Sequence, residues 1–382
     1  MKMKFFELNE LHGADLGLPK TVSELGEVSM KAASEIIGIG SYVPSRKITN
    51  QDVLAMLEEQ SRPYLDQDTW HKLHKKAEKT LIKTGNKYRY WCEADEYGPD
   101  MAYQASLKAI KDAGISREEI DLVIYTGMSK ALVEPATGHV LKNLLGLRTA
   151  NVIDTQDACA SFHKSLEIAD SLIKAGKYKT ILIAAGERAF DWADFRCKSY
   201  DEFDWKLGSL TIGDGAGALI VRGTTKSPYT DHLYHMYAQN EVLLDSYIYC
   251  HIGLNFRDGE RYKLFSNSKL LIQGIYEASL ELFKKFNALR GEVFSYKNKV
   301  VLFHDVGNVI QELFLVQLAR EGLVQADDSY ISYFHEYGNV GSVSLPLNLD
   351  LARKDGRLKK GDEVFFFCGA AGVQAGLISF IY

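Results

Sequence analysis

Two segments far apart in the chain follow one order: a helix, a turn carrying basic residues, an apolar strand and a glycine. In the first, a helical segment over 158–174 runs through Ala175, Gly176 and Lys177 into the strand 180–185, which ends at Gly186. In the second, a helix beginning at Ser342 leads through residues 357–361 into the strand 364–367 and on to Gly369. Apolar runs without polar alternation suit strands covered on both faces. Further such runs at 35–40, 120–125, 151–154 and 299–303 alternate with helical segments at 100–113, 136–145 and 308–320. Gly114 and Gly146 stop the first two of these helices. Residues 51–83 read as helical and rich in Lys. The alternation implies βαβ units in parallel or mixed sheets with helices on both sides. The repeated order points to an internally duplicated α/β lobe, although any α/β chain reuses such turns.

The expected organisation is an N-terminal extension over 1–34, a first lobe over 35–223 and a second lobe over 224–382. The extension is mixed and charged and lacks the apolar stretch of a signal peptide. Residues 364–382 carry no charge over 19 positions, nominally enough to span a bilayer. Gly369, Gly372, Gln374 and Gly376 make a buried hairpin the better reading, and no membrane span is expected. Lys plus Arg number 45 against 50 Asp plus Glu, a net charge of −5. That balance excludes a chain built as a whole to bind nucleic acid, while a local basic patch stays open. Five cysteines lie far apart with no CxxC, which argues against structural zinc and against a disulfide framework, and for a reducing, cytoplasmic setting.

Three residues stand where α/β sheets place their chemistry, at the carboxyl ends of strands. Cys159 lies between a strand and a helix whose apolar positions 158, 162, 166, 169, 172 and 173 face a core. A helix N-terminus favours the thiolate, the reactive form; the same cysteine, beside Ala and Phe, also reads as a small core residue. His304 ends the run 300–303, and Asn339 precedes the helix beginning at 342. A cysteine with a separately encoded histidine and asparagine is a nucleophile pattern, whereas a single histidine at a strand end is often only a hydrogen-bond partner. The pairs His71/His74 and His232/His235 could each share a helix face, but neither has a third ligand in sight, and no metal is expected.

From Ile36 to Tyr382 the chain resembles the β-ketoacyl-ACP synthase III-like condensing enzymes of the thiolase superfamily. The resemblance rests on residues 37–44 (Ile-Gly-Ile-Gly-Ser-Tyr-Val-Pro), Thr84-Gly85, 113–115, 120–124, the Cys159 segment, 213–218 (Gly-Asp-Gly-Ala-Gly-Ala), His304 with Asn308, 337–341 (Tyr-Gly-Asn-Val-Gly) and 369–376. It implies an α/β thiolase-like fold of five layers, αβαβα, from two duplicated lobes, acting as a homodimer. It also implies that Cys159 takes an acyl group from CoA or an acyl carrier protein. The oxyanion would be held by the backbone N–H groups of Cys159 and Gly372, and His304 and Asn339 would hold the second thioester. No cofactor is implied, since CoA or phosphopantetheine enters as the substrate's thioester.

Residues 134–137 (Glu-Pro-Ala-Thr) are similar to a loop of the acyl-CoA condensing enzymes of olefin synthesis. There a glutamate acts as base, contributed across the dimer, and this makes Glu134 the expected base, buried so that its pKa rises. A first-turn glutamate before Pro135 is the plainer alternative. The basic run Lys72, Lys75, Lys76, Lys79, Lys83, Lys87 and Arg89 suits CoA phosphates or an acidic carrier protein, with Lys87 and Arg89 the expected docking pair; a solvated helix face is the other reading. Ser161 stands where the family has Gly, and Asp305-Val306-Gly307 replaces the family's residues between His and Asn. No Trp occurs near residue 79 to stack on CoA adenine, which leaves CoA and carrier protein as equal candidates. The activities compatible with these features are ketosynthase condensation in secondary or specialised lipid metabolism, fatty-acid initiation, ester or amide acyl transfer, and a non-catalytic partner subunit.

Overall fold

The computed structural model describes residues 33–224, 234–239, 250–253, 263–325 and 330–382. All but the last two residues of the expected N-terminal extension, and His232, lie outside them. Two five-stranded sheets carry the architecture. In the first, the strands lie in the order Ala33–Tyr42, Gly215–Thr224, Thr180–Glu187, Leu122–Tyr125, Asn151–Asp154. Its first two junctions are antiparallel and its last two parallel. In the second, the order is Tyr234–Gln239, Gln374–Ile381, Glu363–Ala370, Lys299–Phe303, Tyr330–Ile331. Its junctions are again antiparallel, antiparallel, parallel, parallel. The duplication expected from the repeated helix–turn–strand order is therefore present strand for strand.

Helices fill three layers around these sheets. Ser161–Lys174 and Ser344–Lys354 lie between them, in a core that takes in Ile181 and Ile183 of one sheet and Leu302, Val364 and Phe366 of the other. Gly98–Ala113 and Gly138–Leu145 cover the outer face of the first sheet. Ser268–Arg290 and Asn308–Arg320 cover the outer face of the second. The strands lack polar alternation for this reason. Along Thr180–Glu187, residues 181, 183 and 185 face the central core while 182 and 184 face the outer one. Along Glu363–Ala370, residues 364, 366 and 368 point inward and Phe365 and Phe367 outward. The charge-free segment at the C-terminus forms two antiparallel strands, Glu363–Ala370 and Gln374–Ile381, and no described helix is long and apolar enough to cross a membrane.

The Ile37-Gly-Ile-Gly stretch is explained by close approach. A Cβ on Gly40 would sit 2.1 Å from the carbonyl oxygen of Ala105, and one on Gly38 2.3 Å from that of Ala109. Only glycine lets this strand touch the backbone of helix Gly98–Ala113. The Lys-rich segment 51–83 resolves into two helices, Asn50–Ser61 and Gln67–Thr84, split by a short turn containing Pro63. Thr49 and Asp52 close a capping box at the first helix, and Asp66 caps the second.

Candidate active site

A cavity of about 940 Å³ opens at the carboxyl ends of the strands, and Cys159, His304 and Asn339 all line it. Each is held by a different device. Cys159 lies two residues ahead of helix Ser161–Lys174, not on it as its sequence suggests. The break comes at Ala158, whose φ of 45° is left-handed and incompatible with helix. Ser161 closes the turn: its hydroxyl accepts from Asp157 N at 2.8 Å and donates to Ala158 O at 2.6 Å. The side chain where the family has glycine thus braces the cysteine turn, leaving Cys159 partly buried at the positive end of the helix.

His304 follows strand Lys299–Phe303, its N–H donating to Phe367 O at 2.8 Å. The ring is buried, with Nδ1 2.9 Å from Ser344 Oγ. Nε2 has no hydrogen-bond partner among the described residues. Burial pulls the imidazole pKa down to about 4, so the ring is neutral at physiological pH. Asn339 is fixed by backbone hydrogen bonds to Thr211 and Gly213, and its Oδ1 accepts from Gly341 N at 2.9 Å. With Oδ1 engaged, Nδ2 is the donor left to this side chain. A thiol, a neutral imidazole and an amide donor therefore share one apolar-walled space. Phe303, Phe314, Phe367, Leu271, Ile272 and Ile275 supply much of its wall, so the plentiful aromatics serve both the core and the cavity.

Two family models match the chain, 3-oxoacyl-[acyl-carrier-protein] synthase III over residues 153–237 and its C-terminal counterpart over 300–380. The first spans Cys159, and the second spans His304 and Asn339. Both halves of the site thus fall within synthase III matches, and the chain is a synthase III-like condensing enzyme. Among its relatives is the β-ketoacyl-[acyl-carrier-protein] synthase III of Xanthomonas oryzae, 26% identical over 87% of this chain and 94% of the relative. The synthase III of Listeria welshimeri is 26% identical over 90% and 97%. The fold matches OleA of Xanthomonas campestris with a TM-score of 0.77 at 21% identity, covering 92% of this chain and 99% of that one. A cerulenin-bound form of OleA matches with the same TM-score at 22% identity, covering 91% and 97%.

Against this synthase III-like frame, several expectations need correction. Glu134 is exposed, not buried, and does not line the cavity of its own chain. It follows Val133, which is fully exposed, in a loop ahead of helix Gly138–Leu145. Gly372 sits at the tip of the C-terminal hairpin with φ 81°, outside the cavity wall. The residues of that turn that line it are Gly369, Ala370 and Ala371. Arg89 is wholly buried and cannot meet a docking partner: its Nη2 donates to Asn86 Oδ1 and, at 2.9 Å, to Leu210 O. Burial lowers its pKa to about 10, outweighing the upward pull of the Asp52 charge. Lys87 is exposed, as are Lys72, Lys75, Lys79 and Lys83 along one helix face, whereas Lys76 pairs with Asp204. His74 pairs with Glu78 at 3.7 Å, and the described residues contain no cluster of three or more metal-ligating side chains.

Asp305, where the family has another residue, is a buried carboxylate that accepts from Gln311, Ser332, Tyr333 N and Asn348. Burial raises its pKa while these hydrogen bonds oppose the rise. It ties together the elements around His304. Two further groups escaped sequence reasoning. Glu187, buried, accepts from Met128 N and Ser129 N, both at 3.0 Å, and from the Ser342 hydroxyl, so it shapes the cavity loop. Ser344 holds the ring of His304. The signal for Glu187 was a lone acid closing an apolar strand; Ser344 had none beyond its nearness to Asn339.

Proposed function

We propose that this enzyme joins two acyl thioesters by Claisen-type condensation through an acyl-Cys159 intermediate. The observation that carries the reading is the shared cavity of Cys159, His304 and Asn339. The Cys159 sulfur attacks the thioester carbonyl carbon, the C–S bond to CoA or phosphopantetheine breaks, and the departing thiolate takes up the proton that the cysteine loses. A second thioester then loses a proton from its α-carbon. Its enolate oxygen rests on Asn339 Nδ2–H and His304, its carbon attacks the acyl-cysteine, and the Cys159 thiolate leaves. The backbone N–H of Cys159 and one from the 369–372 turn are the proposed oxyanion donors in the acyl-transfer steps.

Glu134 serves as the α-proton base in the partner subunit of a homodimer. In support, residues 131–135 are exposed, and their loop lines the cavity through Met128, Ser129, Lys130, Ala131 and Val133, the neighbour of Glu134. Lys87 is proposed to meet CoA phosphates or an acidic carrier protein, and the setting is cytoplasmic. The proposed organisation keeps an extension over 1–34, a cysteine lobe over 35–223 and a lobe over 224–382 that brings His304 and Asn339. The names of the synthase III relatives favour a second reading, decarboxylative fatty-acid initiation. Ester- or amide-forming transfer by the same cysteine would show in the products, and a non-catalytic partner role is disfavoured by the intact Cys159, His304 and Asn339.

The test is intact-protein mass spectrometry after incubation with a panel of acyl-CoA and acyl-carrier thioesters. The wild type gains the acyl mass and Cys159→Ala does not. Adducts on both proteins, or on neither, refute the acyl-enzyme.

A further inference from the structure

The helix Asn308–Arg320 buries one face, formed by positions 311, 314, 315 and 318. Phe314, Leu315 and Leu318 are the apolar residues that such spacing asks of a core helix. Gln311 is the exception: it is 3% exposed and lines the cavity. Among the residues lining that cavity, two carry a buried polar atom with no partner among the described residues, His304 Nε2 and Gln311 Oε1. The condensation employs the first and leaves the second unused. The other end of the amide settles its orientation. Gln311 Nε2 donates to Asp305 Oδ1 at 2.8 Å and lies 3.5 Å from His304 O. Turned over, the amide would set its oxygen against both of these acceptors. Asp305 also receives Ser332, Tyr333 N and Asn348, so it serves as an acceptor and fixes the nitrogen side. Oε1 is left as an acceptor without a donor. Its surroundings are hydrocarbon. One turn along, the Phe314 ring lies 4.9 Å from that of Phe367, which lies 5.8 Å from Phe303, and Val306 and Ile310 line the same cavity. A buried acceptor left unpaired costs more than a made hydrogen bond returns. A pocket built around such a group therefore rejects a ligand that cannot donate to it.

We propose that Gln311 Oε1 accepts a hydrogen bond from a hydroxyl on the bound acyl chain, so that the enzyme prefers a hydroxyacyl thioester to the unsubstituted one. The inference rests on the acyl-thioester reading of the same cavity and names the kind of chain it takes. The amide N–H groups of the pantetheine arm are the other donors that a thioester brings. That arm carries polar groups of its own, which an aromatic wall leaves unpaired, whereas the wall suits a hydrocarbon chain bearing one donor. Asp305 is then a positioning residue acting through Gln311.

The probes are straight-chain acyl thioesters of the length that best acylates the wild type, unsubstituted or carrying one hydroxyl at successive carbons. Time-resolved mass spectrometry reads the rate of Cys159 acylation, and chromatography of the products reads condensation when the same chain enters second. In one of these steps at least one hydroxylated isomer should outrun the unsubstituted chain about tenfold, the worth of one buried hydrogen bond. Gln311→Met, similar in length and without the amide, should lose that preference and favour the unsubstituted chain. Equal rates across the wild-type panel in both steps overturn the proposal, as does a preference that survives in Gln311→Met. A variant that slows every thioester alike places the contact on the pantetheine arm and also overturns it. If Gln311→Met does not fold, the wild-type ranking alone decides. A wild type that never acylates refutes the condensation reading instead; calorimetric titration of Cys159→Ala with hydroxylated and unsubstituted acyl-CoA of one length then reads the hydroxyl preference, and equal affinities overturn it.

Discussion

The neutral, buried His304 ties stability to pH in a way that can be worked through. Its folded pKa of about 4 lies below the value of 6.5 that it has when exposed. As pH falls from 7, the unfolded chain binds a proton at this position before the folded chain does, so mildly acidic solution favours unfolding. At pH 5 the unfolded histidine is almost fully protonated and the folded one almost fully neutral. The linkage integral then gives about 2 kcal/mol of lost stability relative to pH 7, approaching about 3 kcal/mol by pH 4. Other groups titrate too, so the quantity to measure is a difference of differences. Urea unfolding of the wild type and of His304→Gln at pH 7 and pH 5 supplies it. The wild type should lose about 2 kcal/mol more than the variant between the two pH values. Parallel losses in the two proteins would show that His304 titrates normally in the fold, and would undo the claim that a neutral ring faces the cavity.

Other outcomes follow from single contacts. Glu134→Gln should still be acylated on Cys159 yet form condensed product at least 100-fold more slowly, as for loss of a general base; product at the normal rate would remove Glu134 from the mechanism. Gly40→Ala forces a Cβ against the Ala105 carbonyl and should cost about 1–3 kcal/mol, read as a lower urea midpoint with an unchanged slope. Asp350 is buried and accepts from Ser41 at 2.5 Å, Arg353 at 2.6 Å and Lys354 at 2.7 Å. Burial works against its charge, but these partners outweigh it and hold the pKa below the usual range. Its contribution is present above the unfolded carboxyl pKa and is lost as pH falls through the folded one. Asp350→Asn should therefore unfold more easily at pH 7 and lose less than the wild type on acidification below about pH 4; identical acid limbs would refute the assignment.

Much of the architecture was legible because it rests on patterns that one residue type enforces. Uninterrupted apolar strands require cover on both faces; Gly38 and Gly40, by contrast, read as a turn at the end of a short strand, whereas the strand runs through them to Tyr42 and they admit a helix backbone. The strand 299–303 and the helix 308–320 appear at the bounds read from the sequence. Cys159, His304 and Asn339 were legible as strand-end residues, and the cavity brings them together. What the sequence hid depends on direction. Arg89 closes a basic run, but it belongs to a strand, Tyr88–Trp91, whose alternate residues are buried. Helical spacing instead leaves Lys75, Lys79 and Lys83 in water. Gly372 looked like the turn glycine nearest the site, yet the hairpin carries it past the wall that Ala370 and Ala371 form. Glu134 looked like a pocket residue because of its loop, and the loop turns it outward.

The matching order of the two sheets has a consequence for how the site is shared between them. Each copy offers an equivalent corner, the bend that feeds its central helix. In one copy that bend bears the sulfur of Cys159; in the other it bears the amide of Asn339 and, at the helix start, the hydroxyl of Ser344. Under the proposed condensation, corresponding corners of the two copies supply an attacking half and a polarising half. Neither copy alone, with its present residues, holds both, so the repeated scaffold divides the labour between its halves.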